Sequence, residues 1–309
     1  DGTAENPFPT IQQGANAVFG TRNVYVNAFP GIYPENVVLL PGTTLWGSGV
    51  LVPGFDNKFF GSGIQPVVDG RSLGPSITVA DNTTVKGFYV QNTELGGPDQ
   101  FVIIPGMPTY NTRRIGIYGY NATDFTIDRN TLSGNDVGAL FSAEENSLNF
   151  LFTDSLATGN DIGAEVLASG GGGGTFFADF QNSSFYHNTG SGLLLLSQDY
   201  IESIARFANG NVSDNAIGLE FIQNGNILAM SLVSGAQANN NVIGLQTIQT
   251  GNLFGLVNIS DSEANANTAF GIQNVQYSQM ASVGIIGMPE GMLDSANALA
   301  SLFGLTLPE

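Results

Sequence analysis

The 309 residues contain no cysteine, which removes disulfides, thiolate nucleophiles and cysteine-based metal sites from consideration. Histidine occurs once, at His187, so a histidine-rich metal site is excluded too; calcium on Asp and Asn turn side chains stays open without an Asp-x-Asp-x-Asn loop to support it, and no metal site or cofactor is assigned. Basic residues are scarce: 8 Lys plus Arg stand against 26 Asp plus Glu, a formal net charge of −18. Such a surface repels a phosphate backbone, so nucleic acid is not an expected partner. Of the basic residues, Arg22, Lys58, Arg71, Lys86, Arg113, Arg114 and Arg129 all precede position 130, leaving Arg206 alone in the remainder. No apolar run approaches the ~20 residues of a membrane span. The chain starts at Asp1 without Met or a charged-then-apolar leader, and reads as a mature protein or an excised portion.

What the sequence does contain is 42% hydrophobic residues, enough for a large core, 41 glycines, and a repeat anchored on six of them. The stretches GNDVGALF (134–141), GNDIGAEV (159–166), DNAIGLEF (214–221) and NNVIGLQT (240–247) are near copies. Aligned on their glycine they extend to Gly138, Gly163, Gly192, Gly218, Gly244 and Gly271, spaced by 25, 29, 26, 26 and 27. An asparagine precedes each glycine by three or four residues: Asn135, Asn160, Asn188, Asn215, Asn241 and Asn267. After each glycine, apolar and polar residues alternate, as in Leu219-Glu220-Phe221, which is the period of a half-buried strand. Upstream, DFTID, NFLF and ARF supply further short alternating runs, so each repeat holds at least two strands.

Helical repeats of this length would place asparagines and glycines inside both helices, against their propensities. Leucine-rich repeats have a different consensus. The remaining solution is a parallel coil, in which each residue lies ~4.8 Å above its counterpart one turn earlier and equivalent positions stack on themselves. The asparagines are then a structural ladder, tolerating a left-handed bend and bonding to their counterparts, while the glycine permits the backbone angle of a corner.

The ends differ from the middle. PFPTIQQGANAVF carries a Thr10-x-x-Gln13 capping box before Ile11, Ala15 and Val18, suiting a short amphipathic helix that covers the first coil. GMLDSANALASLFG places Met292, Leu293, Ala296, Ala300 and Phe303 near one helical face, with Gly304 as a stop. The expected fold is thus all-β: one single-stranded parallel β-helix domain over residues 1–309, with an N-terminal cap at 1–20, coils over 21–287 and a C-terminal helical cap at 288–309.

Asp1-Gly2-Thr3, Pro7-Phe8-x-Thr10-Ile11-Gln12, Gly31-x-Tyr33-x-Glu35-Asn36-Val37 and the Gly47-x-Gly49 turn resemble the opening of pectate-lyase-like right-handed β-helix proteins. With the repeats included, the likeness covers most of the chain. VVLLPGTTLWGSG, PVVDG, ITVADNTTVKGFYV and FTIDRNTLSGN look most like β-helix segments of bacterial surface proteins of the autotransporter type. The resemblance implies a right-handed coil and an exported domain, extracellular or on a bacterial surface, with an extracellular glycan or a host or cell-surface molecule as partner.

Many proteins that share this resemblance cut polysaccharides, but their marks are missing. There is no Asp-Asp pair, no Gly-His-Gly and no Asp-Pro-His-Asp. A lyase or epimerase needs a base beside the uronate and cations to neutralise its acid group; the middle coils offer Arg206 alone, and the Arg113-Arg114 pair reads as a solvated loop. A glycosidase needs only two carboxyls, and Asp128 and Asp154, ten and nine residues before Gly138 and Gly163, are the candidate pair on neighbouring coils. His187 is a turn residue or a general acid-base. Gly170 to Gly174 lack the Lys-Ser/Thr of a phosphate loop and read as an insertion. The outward row Glu165, Glu220, Gln246 and Gln273 is the candidate glycan-binding strip. The reading favoured by these residues is a non-enzymatic bacterial cell-surface module, adhesin-like, a stalk or glycan-recognising; the alternative is a polysaccharide-degrading enzyme, a hydrolase before a lyase, and a third option is a purely structural spacer with no specific ligand.

Overall fold

The computed structural model describes residues 6–18, 22–50, 63–93, 113–144, 146–170, 174–199 and 201–286. Among these residues every strand pairing is parallel, and the strands stack as the walls of a coil. The front wall contains Val37–Val38, Ile77–Val79, Ile115–Tyr120, Val137–Glu144, Ile162–Ser169, Ser191–Gln198 and Ile217–Asn224. The side wall contains Arg22–Val26, Thr43–Gly47, Thr84–Lys86, Thr123–Asp128, Leu148–Thr153, Thr175–Gln181, Glu202–Ala208 and Leu228–Ser234. Strands Ile243–Ser260 and Phe270–Ile286 run unbroken round the corner, which merges both walls into one 17-stranded sheet. A separate 6-stranded short wall closes the coil, and single bridges at Asn211, Gln237 and Glu263 continue it.

The period-two alternation sends one set of side chains into the bore. Phe125, Phe150, Phe152, Phe180, Phe185 and Phe207 are all buried there. They touch in series: Phe125 stacks on Phe150 at 5.2 Å between centroids, Phe150 meets Phe180 edge-on at 5.4 Å, and Phe180 meets Phe185 at 5.7 Å. Each such side chain contributes about 1.5–3 kcal/mol by leaving water.

The asparagines form a continuous buried ladder. Each backbone N–H donates to the side-chain oxygen one coil on, from Asn135 to Asn160 (3.1 Å), Asn160 to Asn188 (3.1 Å), Asn188 to Asn215 (2.9 Å), Asn215 to Asn241 (2.9 Å) and Asn241 to Asn267 (2.8 Å). Two details of the expected corner are corrected. The left-handed residue is the one before each ladder asparagine: Gly134, Gly159, His187, Asp214, Asn240 and Ala266, with φ from 53° to 74°. The glycine that follows is needed for space instead. A Cβ on Gly138, Gly163, Gly192, Gly218 or Gly244 would stand 2.4 to 2.6 Å from the carbonyl oxygen of the glycine one coil on.

One helix, α1 (Ile11–Ala17), lies at the start, capped by Thr10, whose hydroxyl accepts from the Gln13 N–H. Ile11 and Ala15 enter the core, and Glu35 accepts the N–H groups of Ile11 and Gln12. The closing helix expected over 288–309 lies outside the described residues, as do Gly171 to Gly173.

Toward the last coils one inward column departs from this pattern, while the apolar core continues through Val233, Leu245, Val257 and Ile259. The inward column Ala143, Ala168, Ser197, Gln223, Gln249, Gln276 turns polar. Gln249 donates to Gln223 Oε1 at 2.7 Å, Gln276 donates to Gln249 Oε1 at 3.1 Å, and Ser231 donates to Gln223 Oε1 at 2.8 Å. The outward face of the side wall turns apolar at the same height, where Leu228, Met230, Leu232 and Leu256 form a cluster with Ile204 and Phe254.

Candidate functional site

Outward positions of the side wall stack by register into columns. One column runs Tyr25, Trp46, Lys86, Asp128, Thr153, Gln181; the next runs Thr84, Thr126, Leu151, Asp179, Arg206. The fold thereby brings together aromatic, basic and acidic groups that are far apart in sequence. Tyr25 and Trp46 stack with centroids 6.4 Å apart, and Trp46 Nε1 donates to Asn23 Oδ1 at 3.2 Å. Lys86 Nζ lies 5.0 Å from the Trp46 ring centre.

Asp128 is the centre of this group. Its Oδ2 pairs with Lys86 Nζ at 2.5 Å, and Arg129 donates to Oδ1 through Nε and to Oδ2 through Nη2, both at 3.1 Å. Both carboxylate oxygens are therefore engaged by cations. Asp154 falls in the neighbouring coil, but one position off: the register partner of Asp128 is Thr153. Asp154 occupies a left-handed turn (φ 49°), in the same corner stack as Gly87, Arg129, Asn182, Asn209 and Gly235. Its Oδ2 accepts from the Thr153 hydroxyl at 3.2 Å. Beside the corner, Gln65, Arg129, Thr131 and Asp154 line an open depression of ≈ 510 Å³.

Farther along the wall, Asp179 is buried, with Gln181 donating to its Oδ2 at 2.6 Å, Arg206 at 3.5 Å and Oδ1 without a hydrogen-bond partner. Burial pushes its carboxyl above the usual aspartate range, against the hydrogen bond from Gln181 and the charge of Arg206.

The front-wall row also stacks: Leu140, Glu165, Leu194, Glu220, Gln246 and Gln273 are register partners, with Leu194 interrupting the polar series. Its groups are largely occupied. Arg113 pairs with Glu165 at 2.6 Å, Gln246 donates to Gln273, and burial raises the Glu220 carboxyl above its ordinary value. Arg114 is bound to Asp136 through both its backbone and its guanidinium. The two arginines are ion-paired rather than solvated. His187 holds an exposed left-handed turn position 3.7 Å from Asp214, its counterpart one coil on. Among the described residues no group of three His, Cys, Asp or Glu is placed to hold a metal ion, and no helix there is long and apolar enough to cross a membrane.

Sequence reasoning missed Trp46 and Lys86 because the ~26-residue period fails in the first third; it missed Asp179 because its pairing with Arg206 is set by strand register, and Arg129 because its grip on Asp128 is set by the folded corner. Register partners Trp46, Lys86 and Asp128 are 86 − 46 = 40 and 128 − 86 = 42 residues apart. Aligning the side-wall runs on their last inward apolar residue (Leu45, Val85, Ile127, Phe152, Phe180) is the signal that finds the column.

No family model matches the chain, and no curated protein matches it. Among solved structures it is similar to the A-module of the mannuronan C-5 epimerase AlgE4 of Azotobacter vinelandii, with 16% identity, a TM-score of 0.39 and coverage of 89% of this chain and 94% of that one. It is also similar to the GH136 lacto-N-biosidase of Eubacterium ramulus (9% identity, TM-score 0.35, 93% and 66% coverage). A third similarity is to PfbA, a surface adhesin of Streptococcus pneumoniae (10% identity, TM-score 0.28, 88% and 87% coverage). All three TM-scores are below 0.5, and these similarities carry no argument about what this chain does.

Proposed function

We propose that the protein is a non-enzymatic recognition module of a bacterial surface, extracellular, which binds a glycan along its side wall. The observation that carries the proposal is Asp128 held between Lys86 and Arg129 beside the Trp46–Tyr25 stack. An aromatic face packs against the C–H face of a sugar, and fixed charged groups at its edge orient hydroxyls or a carboxylate. A carboxylate with both oxygens engaged is poorly placed to give a proton to a leaving oxygen or to attack an anomeric carbon. The front-wall row Glu165, Glu220, Gln246 and Gln273 is the secondary surface in this reading, because its side chains are partly spent on Arg113 and on each other.

The second reading, a glycan hydrolase, rests on Asp128 and Asp154 lying in neighbouring coils, with Asp154 lining an open depression. Binding to a panel of neutral and acidic polysaccharides, with product analysis on the same panel, separates the two. Retention that Trp46→Ala abolishes, without new reducing ends or unsaturated sugars, supports recognition. Turnover that is lost in Asp128→Asn with Asp154→Asn would replace it with the hydrolase, and retention unaffected by Trp46→Ala would remove the side wall as the site.

A further inference from the structure

The corner that follows the side wall holds one residue its turn does not favour. It stacks Gly87, Arg129, Asp154, Asn182, Asn209 and Gly235, all left-handed with φ from 49° to 80°, each donating its backbone N–H to the coil that follows. Gly, Asn and Asp enter that conformation readily, and Arg does not. Arg129 is nonetheless fastened there, with Gln65 Nε2 donating to its carbonyl oxygen at 3.0 Å. A strained residue that its surroundings hold in place marks a candidate functional position.

Arg129 belongs to two surfaces at once. On the side wall its Nε and Nη2 grip Asp128, which occupies one edge of the guanidinium, while Nη1 makes no hydrogen bond to a described residue. Around the corner it lines the open depression of ≈ 510 Å³ together with Gln65, Thr131, Asp154 and Leu156, a size suited to a small-molecule site. Asp154 is exposed there, accepts from the Thr153 hydroxyl, and forms no ion pair with Arg129.

A cationic donor and a carboxylate lining one depression fit the adjacent hydroxyls of a sugar, which accept from the first and donate to the second. Leu156, the register partner of Thr131, gives the ring C–H groups an apolar contact. Lys86 and Arg129 are balanced by Asp128 and Asp154, so the site has no net charge to hold an acidic sugar, and the chain's −18 opposes one. Trp46 lies two coils before Asp128 in the same column, about 10 Å along the axis. A disaccharide stacked on Trp46 falls short of the depression, whereas a hexasaccharide spans both. We propose that the depression is a second subsite for a neutral oligosaccharide, whose adjacent hydroxyls are held between Arg129 and Asp154 while an earlier ring rests on Trp46. This subsite rests on the side wall being the glycan site.

Two variants keep the turn, because they install residues the stack already uses: Asp154→Gly, as at Gly87 and Gly235, and Arg129→Asn, as at Asn182 and Asn209. Titration calorimetry of the full chain takes cellohexaose, mannohexaose, xylohexaose, their disaccharides and hexagalacturonate as probes. At least one neutral hexasaccharide is expected to bind, with each variant weakening it about tenfold or more and leaving the matching disaccharide unchanged. Hexagalacturonate is expected to bind more weakly and to lose nothing in Asp154→Gly. A hexasaccharide that Trp46→Ala releases but both corner variants retain overturns the subsite and spares the side-wall reading. Hexagalacturonate binding tighter than every neutral probe, or hydrolysis of a probe that Asp154→Gly abolishes, overturns the subsite too. Binding of none of the probes removes the side-wall reading and the subsite together.

Discussion

Asn188 and Asn215 are joined twice: the backbone N–H of Asn188 donates to Asn215 Oδ1 at 2.9 Å, and its side-chain amide donates to the same oxygen at 3.1 Å. Asn215 in turn spends its amide on the carbonyls of Phe185 (2.9 Å) and Ser213 (3.0 Å). One buried side chain thus satisfies polar groups of the preceding coil and of its own turn.

Replacing it removes all of these bonds at once. Asn215→Leu leaves the Asn188 donors and the Phe185 carbonyl buried without that partner, at a cost of about 2–4 kcal/mol. Urea unfolding measures it, and unchanged stability would show that the ladder is not a source of stability. Leu219→Asp, which puts a carboxylate into the fully buried bore, is expected to cost at least as much.

The glycines separate two physical requirements. Gly192→Ala drives a Cβ to 2.6 Å from the Gly218 carbonyl oxygen, which must shift a strand, and a loss of about 1–3 kcal/mol is expected. Gly134 has φ 74° and nothing within 4 Å of an added Cβ, so Gly134→Ala costs only the left-handed conformation, about 1 kcal/mol. Thermal melts of the two variants should rank in that order.

Glu220 and Asp179 both have carboxyl pKa values raised by burial. A raised folded-state pKa means that the protonated form suits the fold. The associated stability is full below the unfolded-state pKa and is lost as pH rises through the folded-state value. Glu220→Gln is therefore expected to raise Tm at pH 7 and to give no gain below the ordinary carboxylate range, with Asp179→Asn following the same direction. A Tm gain that persists unchanged into acid would contradict burial as the cause.

At the side wall, Trp46→Ala is expected to weaken glycan retention tenfold or more, about 1.4 kcal/mol. Lys86→Gln should leave neutral glycans bound and reduce binding of acidic ones as salt is lowered, where its charge matters most. Affinity electrophoresis in polysaccharide gels at two salt concentrations reads both, and equal behaviour of wild type and Trp46→Ala would exclude the aromatic platform.

Much of the fold was legible because stacking imposes self-similarity. Asn135, Asn160, Asn188, Asn215 and Asn241 recur since each must bond to its own kind, and Phe125 and Ile127 alternate with Asp124, Thr126 and Asp128 since one face of each strand enters the bore. The reason for the glycines was not legible. A residue that avoids a carbonyl 2.4 Å from its absent Cβ looks in sequence like one that adopts positive φ, and only coordinates distinguish them.

By itself, then, the sequence determined the parallel coil, its ladder and its strand faces, because these depend on periodicity that local composition carries. The tertiary structure alone decided that Trp46, Lys86 and Asp128 share one outward column, that both oxygens of Asp128 are engaged by cations, and that one inward column of the later coils is polar while the outside of their side wall is apolar. The physical reason is that coils of unequal length bring residues 40 and 42 positions apart into register, and strand pairing, which sets that register, is recorded in no single stretch of chain.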